Sequence, residues 1–245
     1  MNKKLVMINF VIILILLNLT VVVAQSQEIK NNKVTKLAGD KISDIEIKGN
    51  KTINEQQILK EVTTKVGSKL DPKQLKQDMQ SIFDLGYFFD VQVLFEKKEQ
   101  GLKLILEVIE NPKIKQIKVS GNKHLSTKKI KELLGVALPE VLNVKQLNKG
   151  MQVVNQYYRE QGYMLASITD VTIKNENELH LTINEGFVNQ IKIKGNDKTK
   201  DYVIKREMTI KAGEVLNIEQ LREDITNIYR LGYFKSIIPE FNRLE

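Results

Sequence analysis

The sequence has no cysteine and no tryptophan, and it has only two histidines and four prolines among 245 residues. Without cysteine the chain has no disulfide, no thiolate nucleophile, no cysteine-ligated zinc or iron–sulfur cluster and no lipid anchor on cysteine. Two histidines leave little material for a histidine-rich metal site. With 42% hydrophobic residues, the composition is nevertheless that of a globular protein and excludes a fully disordered or collagen-like chain.

The excess of positive charge is spread along the chain and forms no long basic run. The formal net charge is +8, a value that binding to nucleic acid or anionic lipid can explain. The densest basic segment, at residues 128–131, is short and is followed at once by Glu132. We therefore interpret the lysines as a solvated surface and predict no nucleic-acid partner.

The first 24 residues have the composition of an export signal. Two lysines form a positive start, and an apolar run extends from Leu5 to Ala24. This pattern is typical of a secretory signal peptide, although a run of this length can also cross a bilayer as a retained anchor. In either case we predict that residues 1–24 direct the chain into the cell envelope, facing the periplasm, and that the polar residues 25–41 form a linker.

A short motif, Gly-Asn, occurs three times at the end of a similar apolar stretch. Before each copy apolar residues alternate with polar ones, as Ile45 and Ile47 do before the first copy. This alternation predicts a β-strand with one buried face. Gly then Asn predicts a turn, because glycine permits a positive φ and asparagine tolerates one. The turn residues are Gly49, Asn50, Gly121, Asn122, Gly195 and Asn196.

Each turn is followed by the pattern of two amphipathic helices. The second helix begins at Asp71-Pro72, at Asn143 or at Asn217, which are typical N-cap residues. A Gln three residues after each of these two asparagines predicts a capping box. In the second repeat the helix is four residues longer, about one turn, so its apolar face stays in phase. A glycine in the left-handed conformation is predicted to end the second helix of each repeat: Gly86, Gly162 and Gly232.

Two further strands follow the second helix in the first two repeats, whereas the third repeat shows only one, at residues 236–241. The unit is therefore β-α-α-β-β, and the predicted fold class is α+β with three tandem modules, the third lacking its last strand. We place these modules at residues 42–111, 112–186 and 187–245 and call them modules one, two and three. Because residues 236–241 lack a partner strand in this scheme, we expect residues 235–245 to be poorly ordered and the native protein to continue past Glu245.

The tandem β-α-α-β-β units behind an export signal, with Gly-Asn turns and helices that end in Gly-Tyr-Phe or Gly-Tyr-Met, resemble the POTRA domains of BamA-type outer-membrane assembly factors. The junctions at Glu110-Asn111-Pro112 and Asn184-Glu185-Gly186 are similar to those between POTRA units. The resemblance implies a periplasmic chain. Its implied partners are unfolded outer-membrane proteins, accessory envelope proteins and an outer-membrane β-barrel in the same or a partner chain.

The resemblance also implies a binding mode, β-augmentation, in which an extended peptide joins an exposed sheet edge. The strand after the second helix is the edge that such domains offer most often. In this sequence the corresponding residues are Val91, Gln92, Val93, Leu94, Phe95, Ser167, Ile168 and Thr169.

Catalytic constellations do not accompany these repeats. His124 falls in a turn, and His180 alternates with leucines in a strand, so we interpret His180 as solvent-facing. Asp71 and Asp78 are interpreted as a helix cap and a helix-face residue, and the sequence has no glycine-rich nucleotide-binding motif. We predict no enzymatic activity, no cofactor and no metal. The alternative function is that of an FtsQ-like cell-division protein, which the long apolar N-terminus favours and three tandem modules disfavour.

Overall fold

The computed structural model describes residues 35–241. The predicted export signal, most of the predicted linker and residues 242–245 lie outside these described residues. The structure confirms an α+β fold built from repeats. The chain divides into two compact units, one that ends at Glu110 and one that begins at Asn111.

Module one consists of a three-stranded sheet and two helices. The strand that ends the module lies in the centre of the sheet, so the order is β1-β3-β2. Strand β1 pairs with β3 in parallel, and β2 pairs with β3 in antiparallel. The elements are β1 (Ile42–Lys48), α1 (Glu55–Leu59), α2 (Pro72–Asp84), β2 (Phe88–Lys98) and β3 (Gly101–Glu110).

Module two repeats this arrangement, and its sheet has the order β5-β8-β7 with β8 in the centre. A second, very short antiparallel sheet joins β4 to β6. Helix α4 is 17 residues long, against 13 for α2, which confirms the predicted extra turn. The elements are β4 (Lys113–Ile114), β5 (Gln116–Ser120), α3 (Thr127–Leu134), β6 (Glu140–Val141), α4 (Val144–Glu160), β7 (Ser167–Lys174) and β8 (Glu178–Asn184).

Each of these two modules buries one face of its sheet under its helices. The central strand contributes the most to the core, because it is covered by a strand on both sides and by helices above. In module one Leu104 and Leu106 of β3 are fully buried, and in module two Leu179 and Leu181 of β8 are buried in the same way. Ile58, Ile82, Ile130, Leu134, Val154 and Tyr158 cover these strands from the helices.

The predicted N-caps are confirmed. The side chains of Asp71, Asn143 and Asn217 each accept a hydrogen bond from a backbone N–H of the first helical turn. The second half of the predicted capping box is wrong at Gln146, because its side chain donates to the carbonyl of Gly135 instead of returning to the N-cap. The side chain therefore ties helix α4 to the end of helix α3.

One position of the second helix, three residues after the repeated leucine, differs between modules. In module one it is Asp78, which is buried and accepts hydrogen bonds from the N–H and hydroxyl of Thr63 and the N–H of Thr64. Its interpretation as an ordinary helix-face residue was incomplete for that reason. In module two the position is Gly150, where a Cβ would lie 2.1 Å from the carbonyl oxygen of Leu134. Glycine therefore allows α4 to pack directly against the end of α3.

Module three contains two helices, α5 (Asp201–Lys205) and α6 (Ile218–Arg230), but between residues 187 and 241 the structure contains no strand beyond one isolated bridge, Phe187 to Val215. The predicted strands before Gly195 and at residues 236–241 are therefore wrong for the described residues. The first two modules show the reason: both outer strands pair with the central one, which comes last in the module. No such strand occurs among the described residues of module three.

Across residues 35–241, no helix combines the length and the apolar character that crossing a membrane requires.

Candidate functional site: the unpaired sheet edges

Strands β2 and β7 each have one edge with no partner strand among residues 35–241. The structure places the five predicted binding residues of module one, at 91–95, inside β2 and the three of module two, at 167–169, at the start of β7. Both strands carry a bulge close to their start, where the register shifts by one residue at Phe89 and at Thr169. The backbone groups of β2 and β7 that face outward are those that do not bond to the central strand, so they follow from which residues of the central strand bond to each neighbour.

In module one the direction follows from contacts of the central strand. The N–H of Leu102 donates to the carbonyl of Lys41 at the start of β1 (2.8 Å), and the carbonyl of Val108 lies against Gly49 at the end of β1. Backbone direction alternates along a strand, so the even-numbered residues of β3 bond to β1 and the odd-numbered ones to β2.

The outward donors of β2 follow from this alternation. Gln92 and Leu94 lie opposite Glu107 and Ile105, so their N–H groups point to β3. The N–H groups of Val91, Val93 and Phe95 therefore point away from the sheet. The first of these donors already has an acceptor, because the N–H of Val91 donates to the carboxylate of Asp90 (2.9 Å).

In module two the first outward N–H of the edge strand is also occupied, but by a side chain of a helix. The carbonyl of Ile183 lies against Gly121 at the end of β5, so Ile168, which is opposite Ile183, directs its N–H outward. This N–H donates to Oδ1 of Asn155 on helix α4 (3.2 Å). The outward donors that follow the bulge are those of Val171 and Ile173. The outward donor among the predicted residues Ser167, Ile168 and Thr169 is therefore occupied, and the accessible stretch of edge begins after them.

A glutamate at the end of each complete module holds the turn that follows the first strand. Glu110 accepts hydrogen bonds from the N–H groups of Lys51, Thr52 and Ile53 at 2.7, 2.8 and 2.8 Å. Three successive N–H groups that converge on one carboxylate form an anion-binding nest. Because Glu110 is the last residue of β3, this contact fixes the end of the central strand to the first turn.

In module two Glu185 has the same role and is completely buried. It accepts from the N–H groups of Lys123 and His124 at 2.9 and 3.0 Å and from the hydroxyl of Tyr158 at 2.8 Å. The ring Nδ1 of His124 lies 3.2 Å from the same carboxylate. Sequence reasoning missed both glutamates, although a Glu in each predicted junction was a signal that could have found them.

In the Gly-Asn turns the glycines have the predicted conformation, whereas the asparagines act differently from the prediction. Gly49, Gly121 and Gly195 have positive φ values of 89°, 81° and 76°. None of the three asparagines has a positive φ. Instead each side-chain amide donates to the backbone carbonyl three residues later: Asn50 to Ile53, Asn122 to Leu125 and Asn196 to Thr199.

The helix-ending glycines also have the predicted conformation, with φ values of 83° at Gly86, 85° at Gly162 and 74° at Gly232. Gly162 has a second role, because a Cβ there would lie 2.7 Å from Oδ1 of Asn217, the N-cap of α6. Nδ2 of Asn217 donates to the carbonyl of Gln161, and the N–H of Ile218 donates to that of Gly162. The N-terminus of α6 thus satisfies carbonyls at the C-terminus of α4 that no helix bond can reach.

The carboxylates that accept several hydrogen bonds predict an acid-sensitive fold. Burial alone would raise the pKa of Glu110 and of Glu185, but the hydrogen bonds from backbone N–H groups outweigh it and lower each pKa below its ordinary value of 4.5. Burial would also raise the pKa of Asp78, but hydrogen bonds from the side chains and the backbone N–H groups of Thr63 and Thr64 outweigh it and lower that pKa. The unfolded chain therefore binds protons more readily than the folded one, and stability that is present above about pH 5 is lost as the pH falls through the lowered pKa values.

We expect the melting temperature, followed by circular dichroism, to be nearly constant from about pH 7 to about pH 5 and to fall by several degrees towards about pH 3. The Glu185→Gln variant should melt lower at neutral pH and lose less on acidification. A melting temperature that stays level down to about pH 3 would contradict the role given to these carboxylates.

A polar cleft of about 380 Å³ lies beside the contact between the end of α4 and the start of α6. Lys123 lies over the ring of Phe187 in it, and the rings of His124 and Tyr163 are 4.7 Å apart. Within residues 35–241 no group of three or more His, Asp or Glu side chains could hold a metal ion.

Comparison with known proteins agrees with this architecture. The family model of POTRA, described as surface antigen variable number repeat, matches three times, at residues 41–111, 112–186 and 187–244. The N-terminal domain of Omp85 from Thermosynechococcus elongatus superposes with a TM-score of 0.71 at 27% identity, covering 80% of this chain and 87% of that one.

Curated relatives point in the same direction. The outer membrane protein assembly factor BamA of Nitratidesulfovibrio vulgaris is 29% identical over 69% of this chain and 22% of its own length. BamA of Neisseria meningitidis is 27% identical over 81% of this chain and 27% of its own length. The chain thus spans about a quarter of the length of these relatives. With the family model matched three times along most of the chain, the chain belongs to the POTRA family.

Proposed function

We propose that this chain is a periplasmic scaffold that binds unfolded outer-membrane protein precursors, or accessory envelope proteins, by adding their extended segments to β2 and β7. The observation that carries the proposal is the pair of strands whose outward N–H groups have no strand partner in the described structure. A row of such groups is a template for another strand. The relatives named as outer-membrane assembly factors support a role in outer-membrane protein assembly. The proposal includes a β-barrel partner, in the same or another chain, and no catalytic step.

The side chains beside the outward N–H groups leave these edges free to bind strands of differing sequence. Val93 and Phe95 of β2, and Val171 and Ile173 of β7, direct N–H groups outward while their side chains lie on the face that contacts the core or at its border. A bound strand would therefore be recognised through its backbone, with little demand on its sequence. This tolerance fits clients that differ in sequence and share a β-strand pattern. The similarities above give no support to the FtsQ-like alternative.

A matched pair of proline variants tests the proposal in module one. Val93→Pro removes an outward donor and leaves the bonds to β3 in place, and proline is tolerated at such an edge position. Gln92→Pro removes a donor that points to β3 and should disrupt the sheet. We expect Val93→Pro to retain the fold and to lose most of its photo-cross-linking to a urea-diluted outer-membrane barrel precursor, with the cross-linker at Leu94.

A cross-linker at Asp44 on the opposite edge strand, β1, is the control for position. It should capture little precursor in the parent chain and in the Val93→Pro variant alike. Equal capture from Asp44 and Leu94, or undiminished capture by a folded Val93→Pro variant, would contradict binding at the β2 edge.

A further inference from the structure

The accessible edge of β7 carries two opposite charges that have no ion-pair partner. Asp170 and Lys174 are exposed and lie on the face of the strand away from the core, since Val171 between them packs against the core. Neither has an ion-pair partner among residues 35–241. They are four positions apart along the strand, which is about 13 Å.

The neighbouring strand forms no ion pair with either charge. Asp170 lies opposite Thr182, and Lys174 lies opposite Glu178. The Glu178 carboxylate is already bound by the ammonium group of Lys118 at 2.8 Å and contacts Nε2 of His180 at 3.2 Å. Asp170 and Lys174 therefore remain available to residues of a strand on the other side of β7.

The stretch in which such a strand can pair is short. The outward N–H of Ile168 is occupied by Asn155, and the bulge at Thr169 interrupts the ladder. At the other end the chain turns at Asn175 and Glu176, both with positive φ. An added strand is thus confined to residues 170–174, where the two charges mark the ends.

We propose that β7 selects the direction of the strand that it accepts by the order of that strand's charges; the proposal rests on the strand-binding function proposed above. In a strand with an acidic residue followed four positions later by a basic one, the acidic residue lies opposite Lys174 and the basic one opposite Asp170 only when the strand adds antiparallel. A basic residue followed four positions later by an acidic one does so only when it adds parallel. Opposite charges placed across a strand pair stabilise it and like charges destabilise it, so the two orders favour opposite directions.

Module one provides an internal control. Asp90 stands at the same place after the bulge as Asp170, but the residue four positions later is Leu94. The Asp90 carboxylate also already accepts from the N–H of Val91. Strand β2 therefore has no matching pair of free charges, and it should show little preference for charge order.

Three synthetic peptides test the proposal on the full chain. All alternate Val and Thr; one carries Glu and, four residues later, Lys, the second carries Lys and then Glu, and the third carries Gln at both positions. A photo-reactive group at the peptide N-terminus reports direction: antiparallel addition cross-links it near Lys174, and parallel addition near Asp170. We expect the two charged peptides to prefer opposite sites by about tenfold at low salt, with the preference reduced at high salt.

Exchanging the two charges, by Asp170→Lys together with Lys174→Asp, should invert both preferences, with amide exchange of β8 confirming that the sheet is intact. Identical cross-linking sites for both charged peptides, with the neutral peptide still bound at β7, would overturn the inference and leave the strand-binding function standing. If no peptide binds at β7 while the barrel precursor is still captured there, charge order is likewise overturned as the selecting feature. If neither peptide nor precursor binds at any edge, the proposed function fails and the inference fails with it.

Discussion

Replacing Gly121 by alanine is expected to destabilise module two by about 4 kcal/mol, a large share of the stability of a small domain. Two effects combine at this position. The backbone has a φ of 81°, which strains any residue with a Cβ. In addition, the new Cβ would lie 2.0 Å from the carbonyl oxygen of Ile183, and that oxygen belongs to the central strand, which cannot move without breaking the sheet.

Gly135 separates these two effects within the same module. It also has a positive φ, 61°, but no atom beyond its own residue and its neighbours along the chain lies within 4 Å of the place where its Cβ would be. Gly135→Ala should therefore cost only the backbone term, about 1 kcal/mol. Amide hydrogen exchange of β8 in the full chain measures both variants, because exchange there reports the opening of module two. Equal effects of the two substitutions would show that β5 and β8 do not approach as closely as described.

The same comparison shows what the sequence could predict at this turn. Glycine at the end of an alternating strand predicts a positive φ, and the structure agrees at Gly49, Gly121 and Gly195. The close approach to a carbonyl on another strand was not predictable, because it depends on which strand lies next to the turn. Val108 and Ile183 occupy that place in modules one and two, whereas at Gly195 nothing lies within 4 Å among the described residues.

Features that depend on neighbours along the chain were predicted well. The N-caps at Asp71, Asn143 and Asn217 depend on bonds across two or three residues, so residue type and local spacing were sufficient. The same holds for the extra turn of α4, since an insertion of one turn leaves the helix periodicity intact.

Features that depend on residues far apart were missed or misplaced. The strands of module three were predicted from alternation alone, but a strand needs a partner, and the partner in modules one and two comes last in the module. The cover of the β7 edge by Asn155 connects positions 13 residues apart, through a helix and a bulge. No periodicity marks such a contact, and for this reason the accessible edge lies later in β7 than predicted.

The buried carboxylate of module two gives the second large effect. Glu185→Gln is expected to cost about 3 kcal/mol, because the amide can present one acceptor oxygen but directs its NH₂ group at donors that need an acceptor. The N–H groups of Lys123 and His124 and the hydroxyl of Tyr158 all point at this carboxylate. At least one of them would lose its partner at a side chain that is completely buried.

Tyr158→Phe provides the matched variant, since it removes one donor and leaves Glu185 with both backbone N–H groups. Its cost should be about 1 kcal/mol. The double variant should cost less than the sum of the two single ones, because the hydroxyl that the Glu185→Gln substitution would leave unsatisfied is then absent. Amide exchange of β8 and of residues 121–125 measures all three, while exchange of β3 in module one should be unchanged because Glu110 holds that turn independently.

The placement of the carboxylate explains why so large an effect is expected from one side chain. Glu185 follows the central strand directly, and the turn that it holds follows β5, so the contact joins the two ends of a parallel pair that no short loop connects. Closing such a pair costs chain entropy, which the hydrogen bonds at its end help to offset. Additive costs for Glu185→Gln and Tyr158→Phe would show that the Tyr158 hydroxyl is not the donor left without a partner. A stability of Glu185→Gln equal to that of the parent would show that these hydrogen bonds contribute little and that the hydrophobic contacts of β8 hold the pair alone.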